Sequence, residues 1–498
     1  MKNNNKLSYT ILFIIAILIT ASCSKNLDVN DDPSTYNLSD TPVGGLIVNG
    51  MTSTGINLGA NFNRITVLWA QYWASGPTYI VDPTDKNNLP GNLAQNDRAW
   101  RQAYTRTLYD LYTAIKISKS AHQKGACQVM MAYNFQLLVD CYGDIPFKEA
   151  LRALPTDGGI ISPKFDSAAA VYTGIKTLID DAITNITATD DVVGLSGSQD
   201  PMYGGNMDKW LKFANTLKLK LLVRQAEING GATLTEARTL IDNGVLYIED
   251  PSENAQIAFN GGGTTNQSPL YASLDYSDRK DNYCASSTSI IQLLSNNDLR
   301  ISKFYTLPVA GLPYAGVANG SGGGNKTTVS YPGASVFSTK APVVFISSWE
   351  SKFLRAEVIA RTGGGDDQTL FEDAVSQNFT YLGLADSFAT KYIIAHPYPS
   401  SVTDKIHSIA YEKWVSMNGS QPTEAWIESR RYDTPTRTVF KQSTIGGIFI
   451  EPTSNTLTLN DRFPVIFTYS STELSNNKNA PIQRTDISNP MYRIFWDN

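Results

Sequence analysis

With 498 residues, 42% of them hydrophobic and only 17% charged, the chain has ample material for a core. Its length suits two to four average domains, or one large helical body with insertions. The formal net charge is −5, and Lys and Arg form no extended cluster, which makes the chain a poor candidate for nucleic acid, whose phosphates need grouped cations.

The N-terminus carries the first signal. Lys2 and Lys6 flank three asparagines, and residues 11–19 are unbroken hydrocarbon. That run is shorter than the roughly 20 apolar residues a bilayer span needs, but it suits the core of a secretory signal. Thr20, Ala21 and Ser22 then lead into Cys23, a sequence that resembles a bacterial lipobox. On this reading residues 1–22 are a signal peptide that is removed, and Cys23 is the lipid attachment site. Buried acyl chains hold firmly, at about 0.8 kcal/mol per methylene. An ordinary signal peptide with a coincidental cysteine is the alternative. Residues 23–36 follow as an acidic tether with Asp28, Asp31, Asp32 and Pro33, too polar to order itself.

Helical periodicity begins at 100–120, where Trp100, Tyr104, Leu108, Leu111 and Ile115 recur at three- and four-residue steps. A second helix is predicted at 127–141, stopped by Gly143 and Pro146. Others follow at 167–186, 208–229 and 234–243. The stretch 250–345 differs: it is rich in Gly, Ser and Thr, holds the run from Gly320 to Gly324, and has one helical piece at 287–294. Helices return at 348–361, 369–382, 404–417 and 424–430. Paired helices of this length resemble tetratricopeptide hairpins, although the period is not a clean 34. The predicted fold is mostly α: helix pairs at about 100–245 and 348–431 form a scaffold. An irregular, loop-rich lobe with short strands is expected from about 40–99, 250–345 and 432–498.

Five sequence blocks carry a resemblance. They are Asp140 with Tyr142-Gly143-Asp144-Ile145-Pro146 and Glu149-Ala150; Lys209-Trp210 with Phe213-Ala214-Asn215; Trp349-Glu350 with Arg355-Ala356-Glu357; Lys413-Trp414; and Glu424-Ala425-Trp426 with Arg430-Arg431. Arg462-Phe463-Pro464 and Asn476-Asn477 close the series. In content and order these resemble SusD/RagB-type outer-membrane nutrient-binding lipoproteins, over a single body at 37–498. Phe147 stands where that family usually has Tyr. The resemblance implies a cell-surface, lipid-anchored protein of the outer membrane that captures oligosaccharides, or peptides in RagB-type members. It also implies a SusC-like TonB-dependent transporter as partner.

The blocks themselves read as structural. Asp140, Asp144 and Glu149 surround a helix stop, where carboxylates cap N–H groups or pair with Arg. Arg430-Arg431 is expected to close an ion pair with Glu357 or Asp144. Trp210, Trp414 and Trp426 fall at helical spacing and read as core. Cys127, Cys141 and Cys284 leave at most one disulfide, and Cys127 and Cys141, in helix-like sequence, are expected to be buried thiols.

Sugar binding needs flat apolar faces for ring C–H groups and amides, carboxylates or Arg for hydroxyls. Two clusters have that chemistry. In the first, Trp69 and Tyr72 are expected to pack inward, while Trp73 and Tyr79, beside Gly76 and Pro77, are the ligand candidates; Asp82, Asn87 and Asn88 follow. In the second, Tyr271 precedes Tyr276, Asp278, Arg279, Asn282 and Tyr283. Tyr305, Tyr314 and Tyr331 are further candidates.

Signals for catalysis are weak. The three histidines, His122, His396 and His407, have no metal-ligand spacing, and neither a Gly-x-Ser-x-Gly elbow nor a phosphate loop is present. No metal or cofactor is expected. Paired carboxylates for glycoside hydrolysis need only about 5–10 Å between them in space, so a lipid-anchored glycosidase stays open as an alternative, as does a purely structural transporter subunit.

Overall fold

The computed structural model describes residues 41–497 except 78–79, 190–193, 264–265, 276–279, 310, 433–438, 441–446 and 459–461. Its helices are grouped in pairs. Helix α1 (Val43–Asn57) runs through a π-helical turn, Leu58–Phe62, into α2 (Asn63–Trp69). Next come α3 (Ala94–Gln102), α4 (Tyr109–Ile117) and α5 (Ala121–Tyr142). Then follow α6 (Ala168–Ile186), α7 (Met207–Arg224) and α8 (Ala232–Asp242).

Helix α5 is buried nearly all round, so its sequence shows no polar stripe. The Ser120 hydroxyl caps it by accepting from the Gln123 N–H at 3.2 Å, and the helix ends before Gly143. It packs against α4, α6 and α7. On α6, Val171, Ile175, Ile179, Ala182 and Ile186 form the one buried face that the three- and four-residue spacing predicts.

After the Gly-rich middle, α9 (Pro269–Asp275), α10 (Ser287–Ser295) and α11 (Ile301–Phe304) are short. The second helical half comprises α12 (Ser348–Thr362), α13 (Asp367–Tyr381), α14 (Asp386–Ala395), α15 (Val402–Ser416) and α16 (Pro422–Arg431), with α17 (Ser471–Asn476) in the tail. Trp349, Phe353, Phe371, Phe379, Tyr392 and Ile409 build a core across α12–α15. Leu219, Leu222, Val223, Leu354 and Val358 join α7 to α12.

Beneath the tail, the resemblance blocks meet in one buried ion network. Lys220 on α7 pairs with Glu350 at 2.6 Å and with Glu424 at 3.2 Å. Arg224 binds Asp140, Glu424 and Glu428. Arg431 is bidentate to Glu357, 2.6 Å on each arm, so the expected pair forms through Arg431. Its neighbour Arg430 instead donates to the Val465 and Asp140 carbonyls and lies over Trp426. Asp144 is not an arginine partner there; its carboxylate accepts from the Ala168 N–H at the start of α6. Cys127, Cys141 and Cys284 are free and buried.

Three two-stranded ribbons complete the described fold. Strand β1 (Trp73–Ser75) pairs with β5 (Tyr283–Ala285), β2 (Ile145–Pro146) with β3 (Phe165–Asp166), and β4 (Ala255–Ile257) with β6 (Val343–Ile346), all antiparallel. The region expected to be irregular between 40 and 99 departs from the sequence reading, since residues 43–69 are helical. The segment is rich in Gly and Asn, poor helix formers, and its helicity comes from burial. A Cβ on Gly50 would lie 2.7 Å from the Leu111 side chain, so the small residue permits a close approach to α4.

Candidate functional site

The two aromatic–polar clusters, some two hundred residues apart in sequence, are brought together by the β1–β5 ribbon. Its register sets Trp73 opposite Ala285, Ala74 opposite Cys284 and Ser75 opposite Tyr283. The Gly76 N–H donates to the Asn282 carbonyl at 2.6 Å, continuing the ladder. A Cβ at position 76 would sit 2.4 Å from the Asp281 carbonyl oxygen, so only glycine lets the strands approach here.

Buried polar groups brace the ribbon from behind. The Asp85 carboxylate accepts from the N–H groups of Ser75 and Gly320, each at 2.9 Å, and from the Asn319 amide at 2.7 Å. Burial pushes its pKa up despite those donors. Asn319 also donates to the Trp73 carbonyl at 2.9 Å. The Gly-rich middle folds over the ribbon: Val317 N–H donates to Ala285 O at 2.9 Å, and Ala285 N–H to Ser330 O at 2.8 Å. A segment read as a long loop is therefore a structural cover for the two strands.

The burial of Trp73 and Tyr283 corrects their expected role as open stacking faces. Trp73 is 1% exposed and Tyr283 3%. Both lie on the same side of the ribbon, because residues alternate faces along a strand. Phe337 covers Trp73 edge-on, with ring centroids 5.5 Å apart. The Tyr283 hydroxyl donates to Asp82 at 2.7 Å and accepts from Arg64 Nε at 3.4 Å. Burial raises the Tyr283 pKa, and the Asp82 charge adds to the effect. Asn87 is buried too, donating to the Arg462 carbonyl, and Tyr305 is tied to the Tyr72 carbonyl at 2.7 Å. Both are structural.

Asn282, at the ribbon's end, is half-exposed; so are Arg64, Tyr271, Asp281, Tyr314 and Tyr331, with Tyr331 packed beside Ala74 and Cys284 on the ribbon face opposite Trp73. Tyr271 packs on Phe337, centroids 5.0 Å apart. Asp281 pairs with Lys326. The Tyr331 hydroxyl oxygen is buried and has no hydrogen-bond partner among the described residues; burial, with Asp281 and Cys284 nearby, pushes its pKa up to about 12. The indole N–H of Trp73 is likewise without a partner there. Of the remaining predicted residues, Tyr79, Tyr276, Asp278, Arg279 and the lipid-site Cys23 lie outside the described residues.

Sequence reasoning missed Arg64 and the Asp85–Asn319 brace. Arg64 was findable as the one charge on the otherwise uncharged stretch 62–69. The brace had no local signal, since its partners are 234 positions apart. Among the described residues no cluster of three metal-ligating side chains occurs, and no helix is long and apolar enough to cross a membrane.

Residues 36–447 match a family model described as "SusD-like_2: Starch-binding associating with outer membrane". Solved structures share the fold. A SusD homolog from Bacteroides uniformis ATCC 8492 superposes with a TM-score of 0.74 at 20% identity, over 92% of this chain and 99% of its own. A chitin-binding SusD homolog from Flavobacterium johnsoniae gives 0.73 at 18%, over 92% and 98%. A SusD/RagB family protein from Bacteroides thetaiotaomicron VPI-5482 gives 0.71 at 20%, over 92% and 99%. No curated protein sequence matches the chain.

Proposed function

This chain belongs to the SusD-like family, described as starch-binding and associating with the outer membrane, and we propose that its β1–β5 ribbon holds an oligosaccharide and alters no bond in it. One observation carries the reading: two clusters of sugar-binding composition, distant in sequence, share one ribbon. Asn282 offers both amide donors and an acceptor, and Arg64 offers donors. The half-exposed rings of Tyr271, on the Trp73 side of the ribbon, and Tyr331, on the Cys284 side, supply apolar faces. Tyr79, Tyr276, Asp278 and Arg279, which flank the ribbon in sequence, stay ligand candidates in this proposal. The family description names starch and one similar structure is called chitin-binding, so both neutral glycans are the first ligands to try.

The lipobox-like sequence before Cys23 and the family resemblance support two further parts of the proposal. The mature protein is anchored at the cell surface through acylated Cys23 on its acidic tether, and it delivers the captured glycan to a SusC-like TonB-dependent transporter.

Calorimetry with malto- and chito-oligosaccharides tests the binding claim. Saturable heat with at least one series is expected, weakened at least tenfold in Asn282→Ala. Binding of peptides alone would favour the RagB-type carrier, and release of shorter sugars would favour a glycosidase.

A further inference from the structure

A second cleft lies away from the ribbon, between α10 and the α13–α15 helices. Its volume is about 490 Å³, within the roughly 300–1,000 Å³ usual for small-molecule sites. A neighbouring cavity of about 350 Å³ shares Asn296, Tyr392 and His396 with it. Phe371, Val375 and Tyr392 are buried in its wall, and the polar side chains Gln292, Asn296, His396, His407 and Tyr411 line the same space.

Asn296 and His396 are held by hydrogen bonds, and the lining keeps polar capacity to spare. The Asn296 amide donates to the Tyr411 hydroxyl at 2.8 Å. His396 Nδ1 lies 2.9 Å from the Tyr392 carbonyl. A carbonyl only accepts, so Nδ1 carries the proton and Nε2 is left as an acceptor in the neutral ring. His407 Nε2 is buried with no hydrogen-bond partner among the described residues, and a ligand hydroxyl would supply one. Glu412 does not offer a free charge: one oxygen accepts from Arg300 at 2.8 Å and the other from the Tyr392 hydroxyl at 2.7 Å. Aromatic walls, amides, a phenol and imidazoles, with the carboxylate already engaged, match a neutral polyhydroxylated ring.

We propose that this cleft is a second binding site, distinct from the ribbon, that takes the one or two terminal rings of a neutral sugar chain. The proposal rests on the glycan-binding reading above. It gives the protein two grips on one polymer, and simultaneous engagement multiplies affinity when the chain is long enough to span both.

The protein carries its own reporter. Two of its three histidines line the cleft, while His122 belongs to α5, with Nε2 3.0 Å from the Ala188 carbonyl. The full body is labelled with [¹³C]histidine and titrated with maltotriose and with triacetylchitotriose, in parallel with calorimetry. The expected result is saturable movement of the His396 and His407 signals with His122 still. Asn282→Ala should keep that movement, and His407→Leu or Gln292→Trp should weaken the cleft component about tenfold or more. A sugar that gives binding heat while both rings stay still overturns the cleft alone, as does ring movement that disappears in Asn282→Ala. An absence of heat and movement with every sugar overturns the glycan reading and the cleft with it.

Discussion

Replacing Glu357 with Gln should remove about 3 kcal/mol of stability at pH 7. Burial alone would raise the pKa of this carboxyl, but Arg431 and Arg361 beside it hold it at about 2 against an ordinary 4.5. At 1.36 kcal/mol per unit, that depression corresponds to about 3 kcal/mol favouring the folded state. The figure agrees with the roughly 3–5 kcal/mol lost when one partner of a buried ion pair is removed. The sign follows from the direction. A folded pKa below the unfolded one gives stability that is full above about pH 4.5 and lost as pH falls towards 2. Glu350 acts oppositely, because burial raises its pKa beyond what Lys220 offsets; its contribution is present below pH 4.5 and lost as pH rises. Guanidinium unfolding of wild type, Glu357→Gln, Arg431→Met and the double variant, from pH 7 to pH 2, measures the effect. The gap between wild type and Glu357→Gln should close as pH approaches 2, with strong coupling in the cycle at pH 7. A loss below about 1 kcal/mol, or a gap independent of pH, would refute the reasoning.

Other outcomes follow from the ribbon and the termini. Tyr331→Phe removes a buried hydroxyl with no partner among the described residues, so thermal melts should show stability unchanged or raised, by up to about 1–3 kcal/mol. Gly76→Ala drives a Cβ to 2.4 Å from the Asp281 oxygen and should cost about 1–3 kcal/mol in denaturant titrations, with glycan binding lost alongside. Cys127, Cys141 and Cys284 are buried and should react with a thiol reagent only after unfolding. Metabolic labelling with palmitate should mark the wild-type chain and fail in Cys23→Ser.

Much of the helical scaffold was legible because its signals are local. Apolar residues recur at three- and four-residue steps on α6, and hydroxyl or amide caps stand before α5, α6, α7 and α12. The helix at 43–57 escaped because Gly44, Gly45, Gly50 and Gly55 argue against helix, and packing overrode propensity. Composition marked both site clusters, yet their meeting depends on a three-residue ribbon whose register has no periodic signature. Trp73 looked exposed because Gly76 and Pro77 are its neighbours in sequence; what buries it is Phe337, far along the chain. Local context reports the turn, whereas only the tertiary fold reports the cover.

The most direct test is a crystal structure of the body co-crystallised with the tightest-binding malto- or chito-oligosaccharide. An intact sugar should lie against the β1–β5 ribbon, in hydrogen-bond contact with Asn282 or Arg64. A bare ribbon with the sugar held elsewhere, or a cleaved product, would contradict the account.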